Sequence, residues 1–168
     1  MEKTELKIKV IGEPVLRKRA RAVDKVTDEH RQTLKQMARM MYDSAGIGLA
    51  APQVGISQAM IVVDAGKGLY KLINPKIGKR RGKQFIEEGC LSLPGINIRV
   101  KRAKKISLTA LDEEGNPVAI EAEDLLACVF QHEIDHLHGK LIIDYASLIE
   151  KMKYAGKIRA LKKRKSAN

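Results

Sequence analysis

The chain has 168 residues, of which 44% are hydrophobic, and a formal net charge of +12. This length supports one packed core and is short for two, so we predict a single catalytic domain over residues 1–147 and a basic C-terminal helix or tail over residues 148–168 that packs on it or extends from it. No run approaches the roughly 18 apolar residues needed to span a bilayer, and residues 1–9 contain no apolar export segment. These features exclude a membrane partner and predict a soluble, cytoplasmic protein.

The first half of the chain predicts one helix followed by strands. Apolar residues recur at helical spacing over residues 28–44, behind Thr27 and Asp28 as capping residues. Residues 60–63 and 70–73 are short apolar runs typical of strands. Helix and strands mixed in this order predict an α+β fold.

The second half of the chain predicts a hairpin and two helices. Residues 106–111 and 118–122 flank a turn-forming segment that contains Gly115, so they are predicted to pair. A helix is predicted over residues 124–137, and a basic amphipathic helix over residues 147–163, where Leu148, Met152, Ala155, Ile158 and Leu161 recur at near-helical spacing.

The predicted helix over residues 124–137 contains an HExxH pattern. His132 and His136 are one turn apart on the same face, so both imidazoles can reach one divalent ion, and Glu133 lies beside the first of them. Two histidines on one face also arise from ordinary packing. A catalytic site of this kind usually has a third protein ligand, which makes the source of that ligand the deciding question.

The third ligand is assigned by elimination. The longer HExxHxxGxxH pattern fails because position 142 is Ile, and Glu150 has no supporting motif. Cys128 precedes His136 by eight residues, about 12 Å of helix, which one ion cannot bridge. Cys90 lies in a Gly- and Pro-flanked segment that can present a thiolate to a distant helix. We therefore predict a metal held by Cys90, His132 and His136.

The chemistry of such a site follows from its residue types. A divalent ion lowers the pKa of a water molecule bound to it, and Glu133 is close enough to accept that water's proton and to deliver it later to a departing amine. We predict that Glu133 acts as general base and then as general acid. The competing interpretation, a carboxylate on the surface of the helix, leaves the neighbouring ligands unexplained.

Three motifs together resemble those of the peptide deformylase family. They are residues 46–53 (GIGLAAPQ), 88–92 (EGCLS) and 131–136 (QHEIDH), and the likeness extends from about Glu13 to about Tyr145. The resemblance implies antiparallel or mixed β-sheets surrounding a central HExxH helix, together with an N-terminal and a C-terminal helix. It also implies removal of the N-formyl group from the formylmethionine of newly made polypeptides, with release of formate.

The resemblance also assigns the groups that stabilise negative charge on the carbonyl oxygen: the Gln53 side-chain amide and the Leu91 backbone N–H. Gly46 and Gly48 support this modestly, since they allow close backbone approach before Gln53. A Gly-Ile-Gly stretch by itself is more often a turn than a site.

Further residues are predicted to bind the substrate or to support the site. A methionine side chain needs an apolar wall, for which Leu125, Cys128 and Val129 are candidates together with Ile47, although core packing explains Leu125 equally well. Glu88, next to Gly89 and Cys90, is predicted to brace the site. Asp135 orients a ligand or pairs with Arg102, with a plain surface ion pair as the competing interpretation. The substrate-binding and supporting set is Gly46, Ile47, Gly48, Glu88, Gly89, Leu125, Cys128, Val129, Asp135 and Arg102.

The ligand set alone does not identify the metal. On the general affinity order, two imidazoles and a thiolate would bind zinc more tightly than ferrous iron. The family resemblance implies Fe(II), with Zn(II), Ni(II) or Co(II) able to substitute. It also suggests docking on the ribosome through the basic C-terminal segment, for which a merely solvated tail is the competing interpretation. We expect a monomer.

Two rival functions remain open at this stage. The charge of +12 is compatible with an RNA-binding protein that has a structural metal, although only 4% of residues are aromatic and no RNA-binding motif is present. A metallopeptidase acting on unformylated peptides would share the metal chemistry but lacks its usual third ligand.

Overall fold

The computed structural model describes residues 6–166. The first five residues of the predicted domain and the last two of the predicted tail lie outside this range. Within it the helices and strands follow one another in the order α1 (Asp28–Asp43), β1 (Gly48–Ala50), β2 (Met60–Val63), β3 (Tyr70–Arg81), β4 (Gln84–Cys90), β5 (Leu93–Arg102), β6 (Lys105–Leu111), β7 (Pro117–Glu123), α2 (Asp124–Leu137) and α3 (Leu148–Ser166). Short 3-10 turns occupy Pro14–Arg17, Ala51–Val54 and Ile142–Tyr145.

The strands form two antiparallel sheets. One has five strands in the order β1-β2-β3-β6-β7, and the other is the β4-β5 pair. The predicted hairpin is confirmed, because β6 and β7 pair continuously from Lys105 opposite Glu123 to Leu111 opposite Pro117. The predicted α+β class is confirmed as well.

The five-stranded sheet is covered by one helix on each face, because apolar side chains of β2 point alternately to the two faces. Ile61 and Val63 of β2 pack with α2 residues such as Phe130, whereas Met60 and Val62 pack with α1. Successive side chains of a strand point to opposite faces, so one apolar run serves two cores. The HExxH helix α2 therefore lies buried beside the sheet.

The β4-β5 pair contributes a third core. Ile96, Ile98 and Val100 of β5 are buried against the turn at Ile142–Tyr145 and against Leu161 of α3. This places the C-terminal end of β4, where Cys90 lies, close to α2.

The prediction for α3 was right in extent but only partly right in its apolar face. Of the predicted face, Ile158 and Leu161 pack against the β5 core, together with Tyr154, which was not predicted. Leu148 and Met152 are 79% and 78% exposed, and Ala155 is exposed as well. The residues that face the β5 core are four and three positions apart along the helix, from Tyr154 to Ile158 to Leu161. Leu148 and Met152, nearer the start of the helix, lie outside this core. Among the described residues, no helix combines the length and the apolar character needed to cross a membrane.

Candidate active site

Three metal-ligating side chains converge where β4 ends against α2. The Cys90 Sγ atom is 3.4 Å from His136 Nε2, and the His132 and His136 Nε2 atoms are 3.2 Å apart. All three donor atoms lie within 4.8 Å of one another. The i, i+4 spacing on α2 brings the two imidazoles together, and the β4-β5 pair delivers the sulfur from 42 residues away in the sequence.

The surroundings of these donors fit a divalent cation. His132 Nδ1 is 2.9 Å from the carboxylate of Glu88, so a proton held between them leaves the Nε2 lone pair directed at the site. Burial disfavours a charged His132 ring, yet hydrogen bonds with Cys90 and Glu88 raise its pKa well above the ordinary value. The same surroundings, a sulfur ligand and a carboxylate beside two imidazoles, also favour a metal ion, and imidazole with thiolate is a donor set typical of zinc and iron.

A buried network extends behind His132. The Arg102 guanidinium, 5% exposed, donates to Glu88 at 2.7 and 2.9 Å and to Asp135 at 2.6 Å. Tyr145 donates its hydroxyl to the same Asp135 oxygen at 2.7 Å, and its ring lies over Arg102. Burial alone would raise the pKa of Glu88, but Arg102 and His132 lower it overall. The surface ion pair considered for Asp135 and Arg102 is therefore wrong, since Arg102 is enclosed.

Glu133 lies on the cavity side of α2, buried against Gly48 of β1. Burial raises its pKa to about 7, and its Oε2 atom has no hydrogen-bond partner among the described residues. A Cβ atom at position 48 would lie 2.9 Å from Glu133 Cγ and Cδ, closer than such atoms approach, so any larger residue there would displace the Glu133 side chain. A carboxylate with one unpartnered oxygen and a pKa near neutrality is suited to taking up and releasing a proton.

The Gln53 side chain is held beside Cys90. Its Oε1 accepts from the Ala50 N–H at 2.9 Å, which fixes the amide orientation, and its Nε2 donates to Ser92 Oγ at 3.2 Å and lies 3.6 Å from Cys90 Sγ. The amide nitrogen of Gln53 therefore lies next to the Cys90 sulfur. Leu91 follows Cys90 and lines the same cavity.

A largely apolar cavity of about 540 Å³ opens above these residues. Of the predicted residues it is lined by Gly46, Ile47, Gly48, Gln53, Glu88, Gly89, Cys90, Leu91, Leu125, Cys128, Val129, His132 and Glu133. Leu125 is 43% exposed at the cavity, so its alternative role as a core residue is wrong. Cys128 is buried and unpaired, and burial raises its pKa to about 11, which keeps it a neutral thiol. Asp135 and Arg102 lie outside the cavity, and His136 belongs to the metal-ligating group beneath it.

Sequence reasoning missed several cavity residues. Ala45, Ile86, Glu87, Pro94 and Gly95 also line the cavity. Ile86 and Glu87 precede the 88–92 motif on the same strand, and the alternation of Ile96, Ile98 and Val100 with polar residues was the signal that could have revealed β5 and its Pro94–Gly95 entrance.

A buried HExxH helix, a cysteine from a neighbouring strand and an apolar cavity define a metal-dependent hydrolase. The family model described as polypeptide deformylase matches residues 5–152. A peptide deformylase of Halothermothrix orenii is 50% identical over 141 residues, which cover 83% of this chain and 92% of that protein. The chain belongs to the peptide deformylase family.

Solved structures agree with this assignment. The peptide deformylase of Thermotoga maritima is 46% identical, with a TM-score of 0.83 and coverage of 84% of this chain and 97% of that one. The enzyme of Legionella pneumophila is 38% identical, with a TM-score of 0.88 and coverage of 97% and 98%. The protein is accordingly a hydrolase that removes the N-formyl group from nascent polypeptides. The rival functions as a metallopeptidase or an RNA-binding protein gain no support from these comparisons.

Proposed function

We propose that deformylation takes place at a single divalent ion held by Cys90, His132 and His136, with Glu133 moving the protons. The observation that carries this proposal is the convergence of the three donor atoms within 4.8 Å at the floor of the cavity. When bound, the ion supplies a Lewis acid that makes water acidic enough to attack a carbonyl at neutral pH. The buried Glu133 and the Gln53 amide lie beside the same point.

Glu133 has two roles in proton transfer. Its carboxylate accepts a proton from the attacking water, whose oxygen bonds to the formyl carbon. The same proton is then delivered to the amine nitrogen as the C–N bond breaks, which leaves a free N-terminal amine and formic acid, and the acid releases its remaining proton to solvent to give formate. Burial keeps the pKa of Glu133 close to the value that suits both transfers, since it raises that pKa to about 7. A nearby cation would lower this pKa and favour the carboxylate that begins the cycle.

The charge that develops on the carbonyl oxygen is stabilised by the Gln53 side-chain N–H and the Leu91 backbone N–H. Because Gln53 is fixed by Ala50 and Ser92, its donor needs no reorientation during the reaction. The formyl group has only hydrogen beyond its carbonyl carbon, so a floor enclosed by Cys90, Gln53 and Glu133 admits it and excludes bulkier acyl groups. The apolar wall of Ile47, Leu125, Cys128 and Val129 receives the methionine side chain, while Gly46, Gly48 and Gly89 allow close approach of the substrate backbone.

The experiment that tests these roles measures formate release from a formyl-methionyl peptide by protein purified without oxygen, with metal content determined on the same sample. Glu133→Ala is expected to keep the metal and lose turnover by about 10² to 10⁴-fold. Substantial turnover in the metal-replete variant would contradict the role of Glu133, and no formate from metal-replete wild-type protein would contradict deformylation itself.

We propose Fe(II) as the physiological metal, with Zn(II), Ni(II) or Co(II) able to replace it. Two imidazoles and one thiolate fit all four ions, so identity follows from supply and activity rather than affinity. A thiolate on a redox-active ion is open to oxidation, so the iron form is expected to lose activity in air while a zinc or nickel form keeps it. Stable activity of the iron form under prolonged aeration would contradict this assignment.

We further propose that the protein acts in the cytoplasm as a monomer and docks on the ribosome through α3. Support comes from the exposed cations of this helix, among them Lys151, Lys153, Arg159 and Lys163, which would attract ribosomal RNA in a salt-dependent manner. Removal of residues 152–168 should weaken cosedimentation with ribosomes, most strongly at low salt. Unchanged ribosome affinity would remove the docking proposal, and a dimer mass in sedimentation would remove the monomer.

A further inference from the structure

A second cavity, of about 410 Å³, lies between the β4-β5 pair and α3. Its strand side includes Phe85 and Arg99, whose guanidinium carbon is 4.8 Å from the centre of the Phe85 ring, and its helix side includes Tyr154. Phe85 is 59% exposed, an unusual position for the largest apolar side chain of β4. Neither the reaction chemistry nor the methionine wall uses these residues.

The walls of this cavity are held in place by contacts that involve no ligand. Glu150 of α3 accepts from the Arg99 backbone N–H at 3.3 Å and from the Ser147 N–H at 2.8 Å, which fixes the start of the helix to β5. Lys153 lies 5.0 Å from the centre of the Tyr154 ring. The cavity therefore has preformed walls with two aromatic rings, each accompanied by a cation.

The second cavity adjoins the active-site cavity, since Ile86 and Glu87 of β4 line both of them. Among the described strands β4 pairs only with β5, so the edge of β4 beside both cavities is open. An extended segment leaving the metal-ligating group along this edge would enter the second cavity after passing Glu87.

The length of β4 sets how much of a peptide this path holds. From Cys90 back to Phe85 is five strand positions, about 16 Å at about 3.3 Å per residue. An extended substrate whose formyl group lies beside Cys90 would bring roughly its fifth residue opposite Phe85. A polypeptide substrate always has such residues, whereas a dipeptide does not.

We infer that the cavity formed by Phe85, Arg99 and Tyr154 is a binding site for the downstream part of the nascent chain, about five residues beyond the formyl group. This inference rests on the proposed function, in which the formylated end is held at the Cys90 group. The contacts are side-chain contacts with whichever residue arrives there, since aromatic and guanidinium surfaces accept many side chains. Binding at this site adds affinity for long substrates and leaves the chemical step unchanged.

The test compares kcat/KM for a formyl-Met-Ala dipeptide and for a formyl-Met octapeptide of otherwise small residues with one aromatic residue at the fifth position. The wild-type protein is expected to favour the octapeptide by about two- to tenfold, through KM rather than kcat. Phe85→Ala should remove that preference without a matching change for the dipeptide. Leu69→Ala, which truncates another exposed apolar side chain away from both cavities, should retain it.

The outcomes separate this inference from the proposed function. Equal kcat/KM for both peptides in the wild-type protein, or an equal loss for both peptides in Phe85→Ala, would overturn the downstream site while dipeptide turnover upholds deformylation. Failure to turn over either peptide by metal-replete protein would overturn the proposed function and the downstream site with it.

Discussion

At the scale of single residues, the site depends on side chains that touch one another closely. Glu88 illustrates this, since one carboxylate accepts from Arg102 and also lies against His132 Nδ1. A residue of this kind acts through the ligand that it orients, without touching substrate. Its removal should therefore affect metal retention before it affects chemistry.

Glu88→Gln is expected to weaken metal affinity by about 10- to 100-fold, because the neutral amide no longer holds a proton on His132 Nδ1 as strongly and leaves Arg102 without its bidentate partner. A competition titration against a chelator measures this. Glu87→Gln is the matched control, since the neighbouring Glu87 is exposed and its side chain points to the opposite face of β4 from that of Glu88. Equal metal affinity of the Glu88→Gln variant and wild type would contradict the orienting role.

Gly48→Ala tests whether the position of the Glu133 carboxylate limits the rate. The added Cβ would require Glu133 to move, because it would lie 2.9 Å from Cγ and Cδ, and a displacement of about 1 Å can cost about 100-fold. The expected loss is in kcat, with metal content unchanged. Gly156→Ala on α3 is the control, because a Cβ there meets nothing within 4 Å. A variant with full kcat would show that Glu133 tolerates the shift.

At the scale of elements, strongly periodic segments were predictable and the sheet edges were not. Helix α2 follows its predicted residues, and α1 ends one residue before its predicted end, because several apolar positions recur at helical spacing. Strands β4 and β5 were missed. The adjacent charges Glu87 and Glu88 hide the alternation of β4, and Glu88 faces inward only because Arg102 and His132 pair with it there. Such long-range pairing is not visible in one segment of sequence.

The same limit explains which site residues could be predicted. Cys90 and the two histidines carry distinctive chemistry, so spacing and elimination were enough to select them. Ile86 and Gly95 are ordinary residues that line the cavity only because β4 and β5 pair next to α2. Their role depends on tertiary position rather than on residue type.

One element-scale contact makes stability depend on pH. Asp144 lies in the turn at Ile142–Tyr145. Its carboxylate accepts two hydrogen bonds from Arg17, at 2.6 and 3.0 Å, and one from the Leu141 N–H. Burial opposes ionisation, but Arg17 and Leu141 hold the pKa of Asp144 below its ordinary value. The lowered pKa means that the ionised carboxylate stabilises the fold above the unfolded value of about 3.9, and that this stabilisation disappears as the pH falls through the folded value.

Asp144→Asn should therefore lower the urea midpoint at about pH 7, and the difference from wild type should shrink as the pH falls below the unfolded value of about 3.9 toward the lowered folded pKa. The exposed Asp43, 3.7 Å from Arg39 on α1, provides the control through Asp43→Asn, whose effect should be small throughout. A difference between Asp144→Asn and wild type that stays constant across this range would mean that the charge of Asp144 contributes nothing.

At the scale of the whole molecule, the metal-ligating group lies where two separate hydrophobic cores meet. Cys90 belongs to the β4-β5 pair with its own core, and the histidines belong to α2 in the core of the five-stranded sheet. An ion bound to all three donors would cross-link these cores in the folded state alone. A ligand that binds only the folded state increases the free energy of unfolding. The increase grows with the logarithm of the free ligand concentration divided by the dissociation constant.

Chelation should therefore lower the midpoint of thermal unfolding as well as activity. At a free metal concentration about 1,000 times the dissociation constant, the ion would contribute about 4 kcal/mol to the free energy of unfolding. Cys90→Ser, which removes the ligand from the β4-β5 side, should unfold at the temperature of the chelated wild type and respond little to added metal. Calorimetry of both proteins with and without chelator measures this. If chelated and metal-replete wild type unfold at the same temperature, the ion does not connect the two cores, and its role is confined to chemistry.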